Sequence, residues 1–150
     1  MDVKTAFLYP TIEEEVYIAI PEGYWMFHPD DESKAQVFQL VKILYGLRQS
    51  SLAWFKVIDR YLQSKGLTRS NEDASLYISK DLIILIFVND ILLFSPSKEK
   101  ILEANQWLLN EYKMTDLGDL KQFLGMQIFR DRKRKTTFVG QERYFQKVLE

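Results

Sequence analysis

The chain has 150 residues, of which 47% are apolar and 27% charged, and its formal net charge is −1. This composition is typical of one globular domain with a buried core, and it is less basic than that of most autonomous nucleic-acid binders. The absence of cysteine excludes disulfides and thiolate metal sites. Because the sequence contains no signal peptide and no apolar run of membrane-spanning length, a soluble intracellular protein without membrane association is expected.

The first part of the chain predicts short strands separated by a loop. Residues 2–8 predict a strand that runs into a helical turn, apolar runs predict strands at 16–20 and 36–44, and residues 24–35 predict a loop. The only histidine, His28, lies in that loop. A lone loop histidine is more often a surface residue than a ligand or a base.

One segment predicts an amphipathic helix more clearly than any other. Ser50 or Ser51 is expected to cap it, and Gly66 is expected to end it. A short strand is expected next, at residues 75–79. The apolar residues of the helix recur at helical spacing: Trp54, Val57, Ile58, Tyr61 and Leu62.

Residues 82–94 are the most apolar stretch and predict a buried β-hairpin. Because Asn and Asp tolerate left-handed backbone angles, a two-residue turn is expected at Asn89 and Asp90. A carboxylate at the tip of a buried hairpin is costly to desolvate unless a metal ion or a substrate cation neutralises it. An exposed polar turn between two core strands is the simpler alternative.

The last part of the chain adds a helix, a hairpin and a second amphipathic helix. Residues 95–97 end the central hairpin and open the first of these helices. A turn is predicted at 116–118, a strand at 123–128, a strongly basic hairpin tip at 130–135 and a strand at 136–139. The apolar positions of the two helices are Ile101, Ala104, Trp107, Leu108 and Tyr112, and then Tyr144, Val148 and Leu149.

This succession predicts an α+β fold with a largely antiparallel sheet and helices packed on one face. Two classes of function suit that layout. A nucleic-acid-binding sheet would need exposed aromatic side chains on its central strands. A metal-dependent phosphoryl-transfer site would need separated carboxylates that converge on two metal ions, so Asp2 and Asp90 would have to meet across adjacent strands.

Several motifs resemble one family when they are taken in order. They are M-D-V-K-T-A-F-L at the start, L-Y-G-L-R-Q at 44–49, F-V-N-D at 87–90 and D-L-G…F-L-G-M-Q-I at 116–128. Further matches at 16–24 and 141–149 extend the similarity to essentially the whole chain. Together the motifs resemble the reverse transcriptase of Ty1/copia-type LTR retrotransposons.

The resemblance implies a polymerase palm that extends a primer with two Mg²⁺ ions. It implies that Asp2 and Asp90 bind metal and that Asn89 is a degenerate ligand, because the family has Y-V-D-D where this chain has F-V-N-D. It implies that Phe7 packs under the incoming sugar and that Gln49 lies against the nucleotide and template. The residues implied to form the primer-gripping hairpin include Leu124, Gly125 and Met126.

The resemblance also implies partners and surroundings. The substrates would be an RNA or DNA template-primer and deoxynucleoside triphosphates, and the chain would associate with other parts of a polyprotein in a cytoplasmic particle. Residues 1–150 would form a partial reverse transcriptase palm. The fingers before residue 1, and the thumb, connection and RNase H after residue 150, are expected to be missing.

Departures from the family pattern lead us to expect impaired or absent catalysis. Three carboxylates offset two Mg²⁺ ions in the intact site, whereas Asn89 leaves two, because an amide oxygen brings no negative charge. Loss of one such preorganised group costs about 10²–10³ in rate. In addition, Tyr9 and Pro10 replace Asn-Gly, and Ser51 replaces a proline in the loop that faces the nucleotide.

A second class of function stays open at this point. The chain would then be a non-catalytic remnant that binds nucleic acid or protein and uses the palm as a scaffold. Its near-zero net charge argues against strong RNA affinity. In either case the missing parts would leave apolar sheet and helix faces uncovered, which is an expected aggregation liability.

Overall fold

The computed structural model describes residues 1–28 and 37–149, which form three antiparallel sheets and four α-helices. The helices are α1 (Tyr24–Phe27), α2 (Ser50–Ser64), α3 (Lys98–Glu111) and α4 (Glu142–Leu149), and Ala6–Leu8 is a short 3-10 helix. The strands are β1 (Asp2–Val3), β2 (Tyr17–Ala19), β3 (Val37–Gln39), β4 (Thr68–Arg69), β5 (Leu76–Ile78), β6 (Ile83–Phe87), β7 (Asp90–Phe94), β8 (Met114–Thr115), β9 (Gln122–Phe123), β10 (Met126–Asp131) and β11 (Thr136–Gly140).

The largest sheet has six strands in the order β4-β5-β6-β7-β1-β8, and each neighbouring pair is antiparallel. Strand β1 therefore lies between β7 and β8, although it comes first in the chain. Strands β6 and β7 form the central hairpin, in which Ile86 lies opposite Ile91. The predicted α+β class with a largely antiparallel sheet is confirmed.

One face of this sheet and the helices α2 and α3 enclose the hydrophobic core. The buried side chains recur at every second residue of the strands and at every fourth residue of α2, which is the spacing that each element needs to present one face. The sheet contributes Val3, Tyr77, Ile84, Ile86 and Ile91, and the helices contribute Trp54, Ile58, Leu62, Ala104 and Leu108.

The ends of α2 differ in how well the sequence predicted them. The N-cap is Gln49, which makes no capping hydrogen bond through its side chain, so the cap expected at Ser50 or Ser51 is wrong. Ser50 is instead buried in the first turn, and its hydroxyl donates to the Leu44 carbonyl at 2.6 Å. The C-terminal prediction is confirmed, because Gly66 has a φ of 83° and follows the last helical turn.

The N-terminal strands are shorter than predicted. The predicted strand and helical turn at 2–8 are confirmed as β1 and the 3-10 helix, and Thr5, with a left-handed φ of 54°, turns the chain between them. The expected strands at 16–20 and 36–44 shrink to the paired strands β2 and β3. The predicted loop at 24–35 contains α1, and its residues from 29 onward lie outside the described part.

A separate three-stranded sheet, in the order β11-β10-β9, carries the predicted primer-gripping motif. The prediction of one strand at 123–128 is wrong. Leu124 and Gly125 have φ values of 48° and 78° and form a two-residue turn, which brings Phe123 opposite Met126. Positive φ at both central residues is the pattern of a type I′ hairpin turn.

The basic hairpin tip is also shorter than expected. Arg130 pairs with Thr137 inside the β10–β11 ladder, so the turn itself spans residues 132–135. Within it, Arg132 contacts the Asp119 carboxylate at 3.0 Å. An ion pair between two exposed side chains contributes little to stability.

Apolar side chains remain exposed on the second face of the six-stranded sheet, which we call the open face, and on α4. On the open face, side chains that are 39–51% exposed include Ile83, Phe94, Ile78 and Phe87, and the four exposed apolar residues of α4 are Tyr144, Phe145, Val148 and Leu149. In the described ranges, no helix combines the length and the apolar character needed to cross a bilayer.

Two adjacent isoleucines of β6 allow the assignment of the two faces to be tested. Ile84→Ala is expected to lower the free energy of unfolding by about 2–5 kcal/mol, because Ile84 is fully buried against the helices. Ile83→Ala is the matched control and is expected to cost less than half as much, since Ile83 lies on the open face and is 39% exposed. Urea titrations of both variants measure the difference, and equal losses would contradict the assignment.

Candidate functional site

Two carboxylates face each other across the strands at the centre of the large sheet. Asp2 of β1 lies directly opposite Asp90 of β7. The Val3 N–H donates to the Asn89 carbonyl at 2.8 Å, and the Ile91 N–H donates to the Met1 carbonyl at 2.9 Å. These bonds flank the two aspartates, so Asp2 and Asp90 form a non-hydrogen-bonded pair, the kind in which opposite side chains approach most closely.

The two carboxylates belong to the open face of the sheet. Residues directly opposite each other on paired strands project from the same face, and the neighbours of both aspartates, Val3 and Ile91, are buried on the helix side. Asp2 and Asp90 are themselves partly exposed. The pair is therefore available to a ligand that approaches the open face.

The turn before Asp90 is one residue earlier than predicted. Phe87 pairs with Asp90, so the two turn residues are Val88 and Asn89, and Asp90 is the first residue of β7. The prediction of a turn at Asn89–Asp90 is wrong. Val88 has a φ of 52°, a left-handed conformation that is strained for a β-branched residue.

A helix side chain contacts this strained turn. The indole Nε1 of Trp54, in the first half of α2, donates to the Val88 carbonyl at 2.9 Å. Trp54 is only 3% exposed and Val88 is 41% exposed, so this bond is partly buried. It fixes the turn against the core and joins α2 to the hairpin that carries Asp90.

Asn89 has an unusual buried acceptor. Its Oδ1 atom is buried and has no hydrogen-bond partner among residues 1–28 and 37–149, although its main-chain carbonyl accepts from the Val3 N–H. A buried polar atom without a partner is uncommon in folded proteins and calls for an explanation, such as an ion or a water molecule.

The row of side chains that contains the acid pair has two further members. Across the strands it reads Phe87, Asp90, Asp2 and Thr115, since Asp2 pairs with Thr115 on its other side. Sequence analysis did not select Thr115. Strand β8 has only two residues and no alternating pattern, so the sequence carried no signal that would have identified it.

The donor set suits a hard cation but is small. In residues 1–28 and 37–149, no group of three or more His, Cys, Asp or Glu side chains is arranged to bind a metal ion. Asp2 and Asp90 provide two carboxylates, and the unpaired Asn89 Oδ1 is a third oxygen close in the chain. Mg²⁺ in proteins is commonly bound by one or two carboxylates together with substrate phosphates, so the residues present fit one such ion.

Phe7 and Gln49 lie on the elements that flank β1 and α2. Phe7 is on the 3-10 helix after β1, and its ring centroid is 4.6 Å from that of Tyr45. Gln49 precedes α2, and its amide Nε2 donates to the Glu14 carboxylate at 3.1 Å. Because this bond is between exposed groups, a ligand can replace it at little cost.

The three predicted primer-gripping residues lie on another sheet. Leu124 and Gly125 form the β9–β10 turn, and Met126 begins β10. This three-stranded sheet is separate from the one that bears Asp2 and Asp90. The structure therefore brings the two aspartates together and does not join the hairpin motif to them in one sheet.

The sequence matches one protein family along its entire length. The family described as reverse transcriptase (RNA-dependent DNA polymerase) matches residues 1–150. The chain is 34% identical over 155 aligned positions to the retrovirus-related Pol polyprotein from transposon TNT 1-94 of Nicotiana tabacum, an alignment that covers 100% of this chain and 11% of that protein.

Two relatives from Saccharomyces cerevisiae extend the comparison. A putative transposon Ty5-1 protein is 33% identical over 85% of this chain and 42% of its own length. The transposon Ty1-GR1 Gag-Pol polyprotein is 32% identical over 76% of this chain and 6% of its own length. No solved structure matches the chain. The chain thus spans only a minor part of each relative, and because the family match includes every residue from 1 to 150, it belongs to the reverse transcriptase family found in retrotransposon Pol polyproteins.

Proposed function

We propose that this chain is a palm segment of an RNA-directed DNA polymerase and that its nucleotidyl-transfer activity is impaired or absent. The observation that supports the proposal is the direct pairing of Asp2 with Asp90 on the open face of the sheet. Two carboxylates at the closest type of cross-strand pair repel each other unless a cation lies between or beside them. Such an arrangement is useful for cation binding and unfavourable for stability alone.

Each residue of the site has a defined task in this proposal. Asp2 and Asp90 would hold a divalent cation through their carboxylate oxygens, and Asn89 would add at most a neutral amide oxygen. The bound ion would supply positive charge to the phosphoryl oxygens of a nucleotide. The strained turn at Val88 and Asn89 sets where Asp90 enters the strand and so fixes its position relative to Asp2.

Phe7 and Gln49 would act on the nucleotide rather than on the metal. The Phe7 ring, packed against Tyr45, would support the sugar and exclude a 2′-hydroxyl by its bulk. Gln49 would exchange its hydrogen bond with Glu14 for one with the nucleotide. Leu124, Gly125 and Met126 would contact the primer only if the three-stranded sheet approaches the open face.

The impairment follows from charge. Two carboxylates carry a charge of −2, whereas two divalent cations carry +4, so the substrate phosphates would have to provide more of the neutralising charge than in a site with three carboxylates. Electrostatic groups of this kind act through preorganisation, and the loss of one costs about 10²–10³ in rate. The proposal therefore expects weak binding of a second ion.

A second candidate function is supported by a different observation. The open face and α4 expose contiguous apolar side chains, which are typical of surfaces that contact another protein. A remnant of this kind would bind a protein partner without turnover. Its near-neutral charge disfavours RNA as the main ligand. Salt-dependent binding to a primer-template duplex without extension would instead identify nucleic acid as the ligand.

The acid pair should respond to divalent cations in a thermal unfolding experiment. Without divalent cations, Asp90→Asn is expected to raise the melting temperature by about 1–3 °C, because it removes a like-charge contact. Millimolar MnCl₂ or MgCl₂ is expected to raise the melting temperature of the unmodified chain and to leave that of Asp90→Asn unchanged.

Asp81→Asn is the control for that experiment. It removes one negative charge from an exposed position between β5 and β6, so its response to the cations should match that of the unmodified chain. If Asp90→Asn responds to MnCl₂ as strongly as Asp81→Asn does, Asp90 is not a metal ligand.

Restoring the third carboxylate tests the impairment directly. Asn89→Asp, joined to a fingers segment from a relative, is expected to extend a primer on an RNA template about 10²–10³ times faster than the same fusion with Asn89. Asn71→Asp adds an identical charge on an exposed loop and should leave the rate of primer extension unchanged. Robust extension by the unaltered chain would refute the impairment, and no extension by any variant would favour the binding remnant.

A further inference from the structure

Three aromatic side chains from three elements pack against one another, and we call them the aromatic triad: Tyr9, Trp54 and Tyr112. Tyr9 follows the 3-10 helix, Trp54 lies in α2 and Tyr112 caps the C-terminus of α3. The ring centroids are 5.8 Å apart for Tyr9 and Trp54, 5.1 Å for Tyr9 and Tyr112, and 5.4 Å for Trp54 and Tyr112. Within the triad, both contacts of Tyr112 are edge-to-face, a favoured geometry for aromatic pairs.

Two members of the triad are well buried, and Tyr9 is partly buried against them. Trp54 is 3% and Tyr112 is 4% exposed, and both belong to the main core. Burial raises the pKa of the Tyr112 hydroxyl above its ordinary value, with a smaller contribution from the neighbouring Glu111. Densely packed side chains of this kind cannot move without displacing their neighbours.

Two hydrogen bonds connect the triad to the two sides of the acid pair. On one side, the Trp54 indole donates to the Val88 carbonyl at 2.9 Å, two residues before Asp90. On the other side, the Tyr9 hydroxyl accepts from the Lys113 N–H. The Lys113 carbonyl in turn accepts from the Lys4 N–H at 2.8 Å, two residues after Asp2.

We infer that Trp54 and Tyr9 are positioning residues, which fix the spacing of Asp90 and Asp2 through one hydrogen bond on each side of the pair. This inference rests on the proposed function, because it assigns the spacing to cation binding. Neither Trp54 nor Tyr9 would touch the cation or a nucleotide. Each acts through the main chain of a neighbouring strand or turn.

The strained turn explains why such support is needed. A β-branched residue with a positive φ persists only where the surrounding structure holds it there. At Val88 the described contacts that do so are the hairpin ladder, the bond from Val3 to Asn89 and the bond from Trp54. Without the Trp54 bond, the turn can relax toward a negative φ, and Asp90 would then shift relative to Asp2.

The test compares Mn²⁺ affinity among variants that lose a single hydrogen bond. Trp54→Phe removes the donor to Val88, and Tyr9→Phe removes the acceptor for Lys113, while both keep an aromatic ring. Trp107→Phe controls for a general disturbance of the aromatic cluster, because Trp107 contacts Tyr61, which in turn contacts Tyr112. Tyr17→Phe controls for the loss of a remote hydrogen bond, because Tyr17 contacts Glu15. Dissociation constants come from the electron paramagnetic resonance signal of free Mn²⁺, in the full chain and in an Asn89→Asp background.

We expect Trp54→Phe to weaken Mn²⁺ binding about tenfold, at the lower end of the range for outer-shell partners of metal ligands. Tyr9→Phe should weaken it less, and the two controls should leave it within about twofold of the unmodified chain. Melting temperatures are measured in parallel, since a general loss of stability would lower them without a selective loss of affinity.

A spectroscopic measurement on the unmodified chain separates positioning from a purely structural role. In ¹⁵N–¹H spectra the Trp54 indole N–H signal is expected to shift during Mg²⁺ titration, with the same dissociation constant as the ion, whereas the Trp107 signal stays fixed. This measurement also tests the positioning inference if Trp54→Phe fails to fold, because it needs no variant. A Trp54 signal that ignores Mg²⁺ would then overturn the inference.

The failures of the two proposals differ. If neither the unmodified chain nor Asn89→Asp binds Mn²⁺, the proposed function fails and the positioning inference fails with it. If both bind Mn²⁺ and Trp54→Phe binds it as tightly as Trp107→Phe does, only the positioning inference is wrong.

Discussion

The cross-strand pairing of β1 with β7 is the constraint on which the site depends. Strand β1 has only two residues, yet it lies between β7 and the edge strand β8 and brings Asp2 to the position opposite Asp90. The β-sheet period of two then places both carboxylates on the open face, while Val3 and Ile91 enter the core on the other side. Burial of these two apolar neighbours therefore stabilises an arrangement of like charges that would be unfavourable by itself.

The same arrangement divides the molecule into a packed side and an open side. The helix side is densely packed around Tyr77, Ile84 and Ile91 and includes Trp54 and Tyr112. The open face carries the acid pair and half-exposed apolar side chains. Under the positioning inference, a substitution on the helix side, such as one at Trp54, would change the open face through the main chain of the turn at Val88.

Periodicity predicted the parts of the fold that depend on local sequence. The stripe from Trp54 to Leu62 is buried as expected, because a helix that packs on a sheet needs apolar residues at that spacing. The turn before Asp90 was misplaced because Asn and Asp favour turns locally. Pairing of Phe87 with Asp90 and the bond from Trp54 override that preference and put Val88 into the turn.

Hydrophobic periodicity is a local signal and could not predict the non-local features of the site. The insertion of β1 between β7 and β8 joins residues that are far apart in the chain, and a strand of two residues has no pattern to detect. Motif order pointed to Asp2 and Asp90, whereas Thr115 and the role of Tyr9 emerged only from the pairing and the ring contacts. The turn at Leu124 and Gly125 divides the predicted strand at 123–128 in two. Gly125 could have indicated this turn, but the apolar residues around it favoured a single strand.

The two-residue turn at Val88 and Asn89 has a consequence for how this gene segment can change in length. Adding or deleting one residue between Phe87 and Asp90 would rotate the following strand by half a period, so the carboxylate would point into the hydrophobic interior and Ile91 into solvent. The same length change at the solvent-exposed tip at 132–135 would alter only a loop. A change of length at the first hairpin therefore exchanges the two faces of β7, whereas the same change at the second hairpin leaves the strand pairing on both sides of it intact.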